Sequence, residues 1–213
     1  MRNLLGIIVS LNFVGMIIIS AKFFQKKGEE TSRKYIHIML ANWWFIAMYF
    51  FDNWISAAIV PAIFVIINYI SYKNDVIKVM EREKNDGLGT VYYAVSLLIL
   101  AIATFGITNK PEIGLVGVLV MGYGDGLAAV IGKSIKSYEY SVGNSKKTVA
   151  GSLAMLIVTG IIVGIFFINS GADAWIMKTL TTSIILTIVE AVSIKGLDNI
   201  TVPILASLLV AVL

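Results

Sequence analysis

Four short stretches of this chain concentrate side chains that do chemistry: TSRKYIH (31–37), GYGDGLAAVIGKS (122–134), GNSKKTVAGS (143–152) and EAVSIKGLDNITVP (190–203). Asp125 stands about two turns inside an apolar run, where an ionisable group costs about 2.5–3.5 kcal/mol on the insertion scale and is a functional hypothesis by default. Glu190 is a second such carboxylate, nearer the end of its run. The other use of either group is as a structural partner for a nearby lysine. Gly122, Gly124, Gly126 and Gly132 surround Asp125. Such glycines let a helix unwind and a bulky polar ligand approach, or they let helices pack closely; three alternating around one carboxylate favour the ligand. Asn144, Ser145, Lys146, Lys147 and Thr148 come just before an apolar run. Free N–H groups at a helix start, with lysines beside them, make a phosphate site. A carboxylate for a divalent metal plus a basic, helix-capped loop is the equipment of nucleoside triphosphate chemistry: the metal neutralises phosphates and the lysines stabilise charge on the transferring group. His37 lies three residues after Lys34, on nearly the same helix face; a lone histidine is more often a structural hydrogen-bonder than a catalyst. GLAAVIGKS imitates a Walker A loop, but five residues separate Gly126 from Gly132 and no strand precedes it, so it is not one.

The elements that must position these groups follow from composition. The chain has 213 residues, 58% hydrophobic and 14% charged, with three prolines and no cysteine, and its mean hydropathy is +0.86. That is too little charge to cover a water-facing surface, which excludes a soluble enzyme, and too much apolar content for disorder. Without cysteine there is no disulfide framework, thiolate metal site or cysteine nucleophile. With one histidine there is no His-rich zinc site. Spanning helices need roughly 20 apolar residues, and eight stretches qualify: about 3–24, 35–51, 54–72, 90–108, 112–132, 148–169, 172–193 and 200–213. Backbone in hydrocarbon must satisfy itself, so these are helices. The expected fold is all-α, one polytopic bundle domain over 1–213. The first stretch is too long for a signal-peptide core and lacks a cleavage site. Residues 74–93 alternate apolar and charged positions, as in a short interfacial amphipathic helix. Trp43, Trp44, Tyr49, Phe50, Phe51 and Trp54 read as an aromatic belt at the outer interface.

Fourteen of the 17 basic residues fall in the loops after the first, third, fifth and seventh stretches, leaving Arg2, Lys110 and Lys178 elsewhere. The positive-inside rule then puts those loops in the cytoplasm and both termini outside. The net charge of +4 therefore records topology and attraction to anionic headgroups, not nucleic-acid binding. The four chemically loaded stretches all lie on that cytoplasmic face.

RKYIH (33–37), GDGLAAVIGK (124–133), SKKTVAGS (145–152) and VEAVSIKGLDNITVP (189–203), in this order, resemble the CTP-dependent lipid-alcohol kinases: dolichol kinase, phytol kinase and CTP-dependent diacylglycerol kinase. The resemblance implies transfer of the CTP γ-phosphoryl group to a membrane-dissolved alcohol, with Mg2+. By motif position, Arg33 and Lys34 contact phosphates. Asp125, Glu190 and Asp198 hold metal, and Lys146, Lys147 and Thr148 cradle CTP. Asp125, Lys34 and Glu190 form the catalytic group. His37, Gly124, Gly126, Gly132, Lys133, Asn144, Gly151, Ser152, Asp198 and Asn199 complete the nucleotide-binding set. SKKTVAGS departs from the family pattern at Ala150, where a glutamate is usual.

Phosphatidate cytidylyltransferase is the nearest rival. Its signature near the C-terminal end contains an HGG run followed by an Asp-Arg pair; here the sole histidine is His37 and the corresponding stretch reads KGLDNITVP. A small transporter is the other alternative, but transporters place polar sites near the bilayer midplane, whereas here they gather at one face. Nothing in the sequence specifies an oligomeric state or selects among polyprenol, phytol and diacylglycerol.

Overall fold

A computed structural model describes residues 1–25, 28–74, 76, 88–143 and 145–213. The chain runs α1 (Arg2–Gln25), α2 (Glu29–Ala41), α3 (Trp43–Phe50), α4 (Trp54–Asn74), α5 (Gly89–Ile102), α6 (Pro111–Leu119), α7 (Gly126–Ser134), a hairpin of β1 (Glu139–Val142) and β2 (Ser145–Thr148), then α8 (Val149–Asn169), α9 (Trp175–Val192) and α10 (Asp198–Val212). Among the described residues the bundle is all-α apart from that hairpin. Six described helices are long and apolar enough to cross a membrane: α1, α4, α5 extended to Ile107, α6 joined to α7 (Pro111–Ser134), α8 and α9. The remaining two expected spans meet shorter elements. α10 has 15 residues, and the 35–51 stretch begins earlier, at Glu29, and is divided at Asn42. Asn42 Nδ2 donates to Met39 O (3.1 Å), and its Oδ1 accepts from Tyr123 Oη (3.0 Å), so the break is held by polar bonds. Contacts between element ends show two antiparallel pairings, α1 with the α2–α3 stretch and α10 with α6. Asn3 at the start of α1 bonds Asp52 beyond α3, and Ser207 in the second half of α10 bonds Ile113 O at the start of α6 (3.1 Å).

The α6–α7 span is the centre of the bundle: 67% of its apolar window is buried, against 22–50% for the other five. A π-helical segment, Val120–Asp125, joins its two halves. The extra residue in such a turn rotates the helix beyond it, and π segments recur at functional sites. Here it feeds two cores at once. Met121 enters one with Trp43, Trp44 and Phe105, and Val120 enters the other with Met155, Phe167 and Leu186. The bundle's outside is apolar, as a lipid-facing surface must be; Ile157, Ile161, Ile165 and Ile168 form an exposed stripe along α8.

The aromatic belt holds only in part. Tyr49 and Trp54 are exposed, but Trp43, Trp44 and Phe51 are buried. Trp44 fills the space that Gly114 leaves on α6, and its indole N–H donates to Pro111 O at 2.9 Å. The amphipathic helix expected within 74–93 falls mostly outside the described residues.

A Cβ at Gly114 would run into the Trp44 ring and come within 2.8 Å of Thr104 Oγ1. Gly114→Val is therefore expected to destabilise the bundle by about 1–3 kcal/mol, the usual range for overpacking. Unfolding of the purified protein in detergent measures this, and an unchanged midpoint would contradict the packing described.

Candidate active site

Three carboxylates converge at one end of the bundle. Asp125 comes from the end of the π segment, Glu190 from the last turn of α9 and Asp198 from the first turn of α10. One oxygen of each lies within 4.8 Å of the others; Asp125 and Glu190 are buried and Asp198 is half-buried. Lys34 Nζ on α2 reaches Asp125 Oδ2 at 2.8 Å, with both side chains buried. His37, one turn further on, sets Nε2 at 3.2 Å from the same oxygen and 3.0 Å from Met121 O. Its ring packs edge-on to Tyr93, whose hydroxyl donates to His37 O. Lys147 on β2 donates to Glu190 Oε1 and, at 3.1 Å, to Glu190 O, and stands 3.9 Å from Asp198 Oδ2. Burial disfavours the Lys147 charge, but Glu190 and then Asp198 more than offset it and raise its pKa above the ordinary lysine value. It stays a cation throughout the physiological range.

These groups open onto a cavity of about 870 Å³, within the range of roughly 300–1,000 Å³ typical of small-molecule sites. Six described lysines line it (34, 133, 136, 146, 147 and 195), with the three carboxylates at its base. Three converging carboxylate oxygens are the hard donors that Mg2+ and Ca2+ take. The surrounding lysines suit a polyphosphate.

The structure brings together Lys34, Asp125, Gly132, Lys133, Lys146, Lys147, Thr148, Gly151, Ser152, Glu190 and Asp198 around this cavity. Arg33, His37 and Asn199 instead line a second, smaller one, and Asn144 lies outside the described residues. Two expectations need correction. Gly124 and Gly126 do not face the cavity. A Cβ at Gly126 would strike Ile38, one at Gly122 would strike Ala41, and one at Gly124 would sit 2.8 Å from Met155 Sδ. These glycines let α2 and α8 approach the π segment, and the close approach of α2 is what brings Lys34 to Asp125. Nor does α8 present free N–H groups. Val149 N donates to Tyr138 O (3.0 Å), Ala150 N to Ser137 Oγ (3.1 Å) and Gly151 N to Thr148 Oγ1 (3.1 Å). The groups left to meet an anion here are the lysine side chains that line the cavity.

Sequence reasoning missed the hairpin and with it Lys136, Ser137 and Glu139 of the cavity wall. The signal was present: SYEYSV and SKKT flank a two-residue Gly-Asn connection, the spacing of a tight hairpin, and Val142 pairs with Ser145. It also missed Glu30, which pairs with Arg33 (Nε–Oε2 3.0 Å) and lines the cavity. Lys195 and Gly196 form a turn with φ of 53° and 78°. A Cβ at Gly196 would come within 2.7 Å of Gly89 Cα, so glycine is required on both counts.

No protein-family model matches the chain, and no solved structure matches it. Named proteins do. A phytol kinase of Synechocystis sp. is 27% identical over 95% of this chain and 88% of its own length. A probable chloroplastic phytol kinase of Triticum aestivum is 28% identical, over 87% of this chain and 67% of its own. The chain is similar to phytol kinases over most of its length. Phytol kinase 1 of Arabidopsis thaliana, also chloroplastic, is 26% identical over 87% of this chain and 66% of that protein. The similarity to the Synechocystis kinase, at 95% of this chain, spans the carboxylate cluster and the lysine-lined cavity together.

A divalent cation is expected to bind the cluster. Mn2+ titration followed by electron paramagnetic resonance should show one site in the wild type. Asp198→Asn, which keeps the side-chain volume, should weaken it by more than the roughly 10–100-fold that loss of an outer-shell partner costs. Equal Mn2+ affinity in the two proteins would remove Asp198 from the ligand set.

Proposed function

We propose that this membrane protein is a lipid-alcohol kinase that transfers the γ-phosphoryl group of CTP to the hydroxyl of a membrane-dissolved alcohol, with Mg2+ held by Asp125, Glu190 and Asp198. The observation that carries this reading is the convergence of three carboxylates, within 4.8 Å of one another, at the base of a lysine-lined cavity in a multi-pass apolar bundle. The names of the relatives support a kinase acting on an alcohol, phytol in their case. The choice of CTP rests on the motif resemblance.

The cation, when bound, supplies charge neutralisation on the phosphates. The chain's own residues do the rest. Lys146 and Lys133 are exposed at the rim and draw the polyphosphate in. Lys147 sits between Glu190 and Asp198 and meets the transferring group. Lys34 fixes the Asp125 carboxylate. The alcohol oxygen forms a bond to Pγ as the bond from Pγ to the β-phosphate bridging oxygen breaks, and the nucleoside diphosphate leaves. The transition state is loose, so positioning and charge stabilisation dominate. The hydroxyl proton passes to a carboxylate of the cluster, a weak base that suffices because the oxygen acidifies as it bonds to phosphorus.

The test is transfer of label from γ-32P-CTP to a lipid fraction, with a panel of alcohols and all four nucleotides. A kinase yields labelled lipid monophosphate and CDP. A cytidylyltransferase would release labelled pyrophosphate, and a transporter would turn over nothing. Lys147→Met is expected to lower kcat/KM about 100-fold, the effect of deleting one charge-stabilising donor. A rate like wild type would remove Lys147 from the reaction.

The proposed site faces the cytoplasm, with both termini outside. The chain has no cysteine, so single cysteines report topology directly. Lys136→Cys should react with an impermeant maleimide only in inverted vesicles, and Asp173→Cys only in intact cells. The opposite pattern would reverse the orientation.

A further inference from the structure

Two lysines touch the carboxylate cluster, and they are held differently. Lys34 meets one oxygen, Asp125 Oδ2, on a side chain that is only 6% exposed. His37 Nε2 stands beside the same oxygen. Lys147 instead bridges two of the carboxylates. Its Nζ donates to Glu190 Oε1 and lies 3.9 Å from Asp198 Oδ2, on a side chain 18% exposed at the wall of the large cavity. Glu190 and Asp198 are two of the three groups whose oxygens converge within 4.8 Å. An ammonium between them stands where a cation shared by the same oxygens must stand, and like charges that close repel strongly.

The local structure lets Lys147 leave. Its other bond, at 3.1 Å, goes to Glu190 O. That carbonyl already accepts from Ser193 N at 3.1 Å, so no backbone group is stranded when Nζ moves away. The strand that carries Lys147 is anchored. Tyr140, its partner across the hairpin, bonds Ser152 Oγ on α8 through its hydroxyl at 2.6 Å, and Val149 N donates to Tyr138 O. Only the side chain needs to swing, on a flexible aliphatic stem. The cavity it opens onto is the one proposed for the polyphosphate.

We propose that Lys147 is a place-holder for the cation: it bridges Glu190 and Asp198 in the free protein, yields those oxygens to a divalent cation, and turns to the polyphosphate. The proposal rests on the kinase reading, in which the carboxylates hold metal, and adds a coupling to it. The cluster takes a cation readily only as Lys147 finds another anion. By linkage the effect is reciprocal, so a bound cation frees Lys147 for phosphate. Lys34, buried against Asp125, stays in place.

The experiment titrates Mn2+, without nucleotide, into the full-length protein in nanodiscs and follows it by electron paramagnetic resonance. Lys147→Met removes the ammonium and keeps an unbranched side chain. It should bind Mn2+ at least about tenfold more tightly than wild type, the low end of what a close charge pair contributes. Unchanged binding would leave Lys147 to the phosphate alone, and weaker binding would make it a support for Glu190; either overturns the exchange. The wild type supplies a second measurement that needs no variant. Acetylation by an N-hydroxysuccinimide ester, read by peptide mass spectrometry, should modify Lys147 slowly in the free protein, several-fold faster with Mn2+, and slowly again with Mn2+ and CTP. Lys34 should stay protected throughout. A Lys147 rate that Mn2+ leaves unchanged overturns the proposal, as does one that CTP fails to lower. Mn2+ binding that weakens in Asp198→Asn without tightening in Lys147→Met defeats the exchange and leaves the metal assignment of the kinase reading standing. Absence of Mn2+ binding to wild type and Lys147→Met alike defeats both.

Discussion

Three carboxylates gathered within 4.8 Å of one another repel, and burial in an apolar bundle deepens the cost. Much of the local architecture exists to offset that. Lys34 answers Asp125 and Lys147 answers Glu190, each by direct contact. Both answers make demands on the fold. For a lysine on α2 to reach Asp125, α2 must lie against the π segment, and Gly122 and Gly126 allow it where any side chain would strike Ala41 or Ile38. For a lysine to reach the end of α9, the chain after α7 must fold back, and the β1–β2 hairpin does this. Removing one partner of such a buried pair typically costs about 3–5 kcal/mol, because the other charge is left stranded. Two lysines stand against three carboxylates, an imbalance that the proposed divalent cation would offset.

Much of this was legible in the residues. Length and hydropathy set the apolar elements to within a few residues, because hydrocarbon thickness fixes how long a spanning helix must be. Asp125 and Glu190 stood out because ionisable groups inside apolar runs are expensive. The direction in which side chains point stayed hidden. Glycine around Asp125 signals close approach of something, and no one-dimensional pattern says whether that is a ligand or Ala41. The α8 N-terminus looked like a phosphate site because its N–H groups have no partner within the helix; their actual partners, Tyr138, Ser137 and Thr148, depend on a hairpin that a reading tuned to helices passed over. Trp43 and Trp44 misled for a related reason. Aromatic clusters near a span end suit an interface, but Gly114 on a distant helix made room for Trp44 inside.

The π segment ties these observations together. Without its extra residue, the residues after Met121 would be turned by about 100° relative to α6. Asp125 would no longer point between α2 and the α9–α10 turn, and Met121 O would not sit where His37 Nε2 finds it at 3.0 Å. The wider turn is held at its first two residues, Val120 in one core and Met121 in the other. A site aimed by an irregular turn in the most buried span is held more firmly than one built on a loop.

Phosphoryl transfer to a membrane alcohol poses a partition problem. The donor is a polyanion that stays in water, the acceptor stays in lipid, and water itself competes as a nucleophile. Excluding it is as important as binding either substrate. A single open cleft would admit all three. Two cavities lie on either side of α2: a large one lined by lysines, and a slot too small for a nucleotide, lined by Ile36, Leu40 and Tyr93 together with Arg33, Asn68, Thr90 and Asn199. The two meet across His37. On the proposed reading the polyphosphate enters through the lysine-lined cavity, and the alcohol must come within bonding reach of the phosphorus beside the carboxylate cluster, arriving from the lipid side.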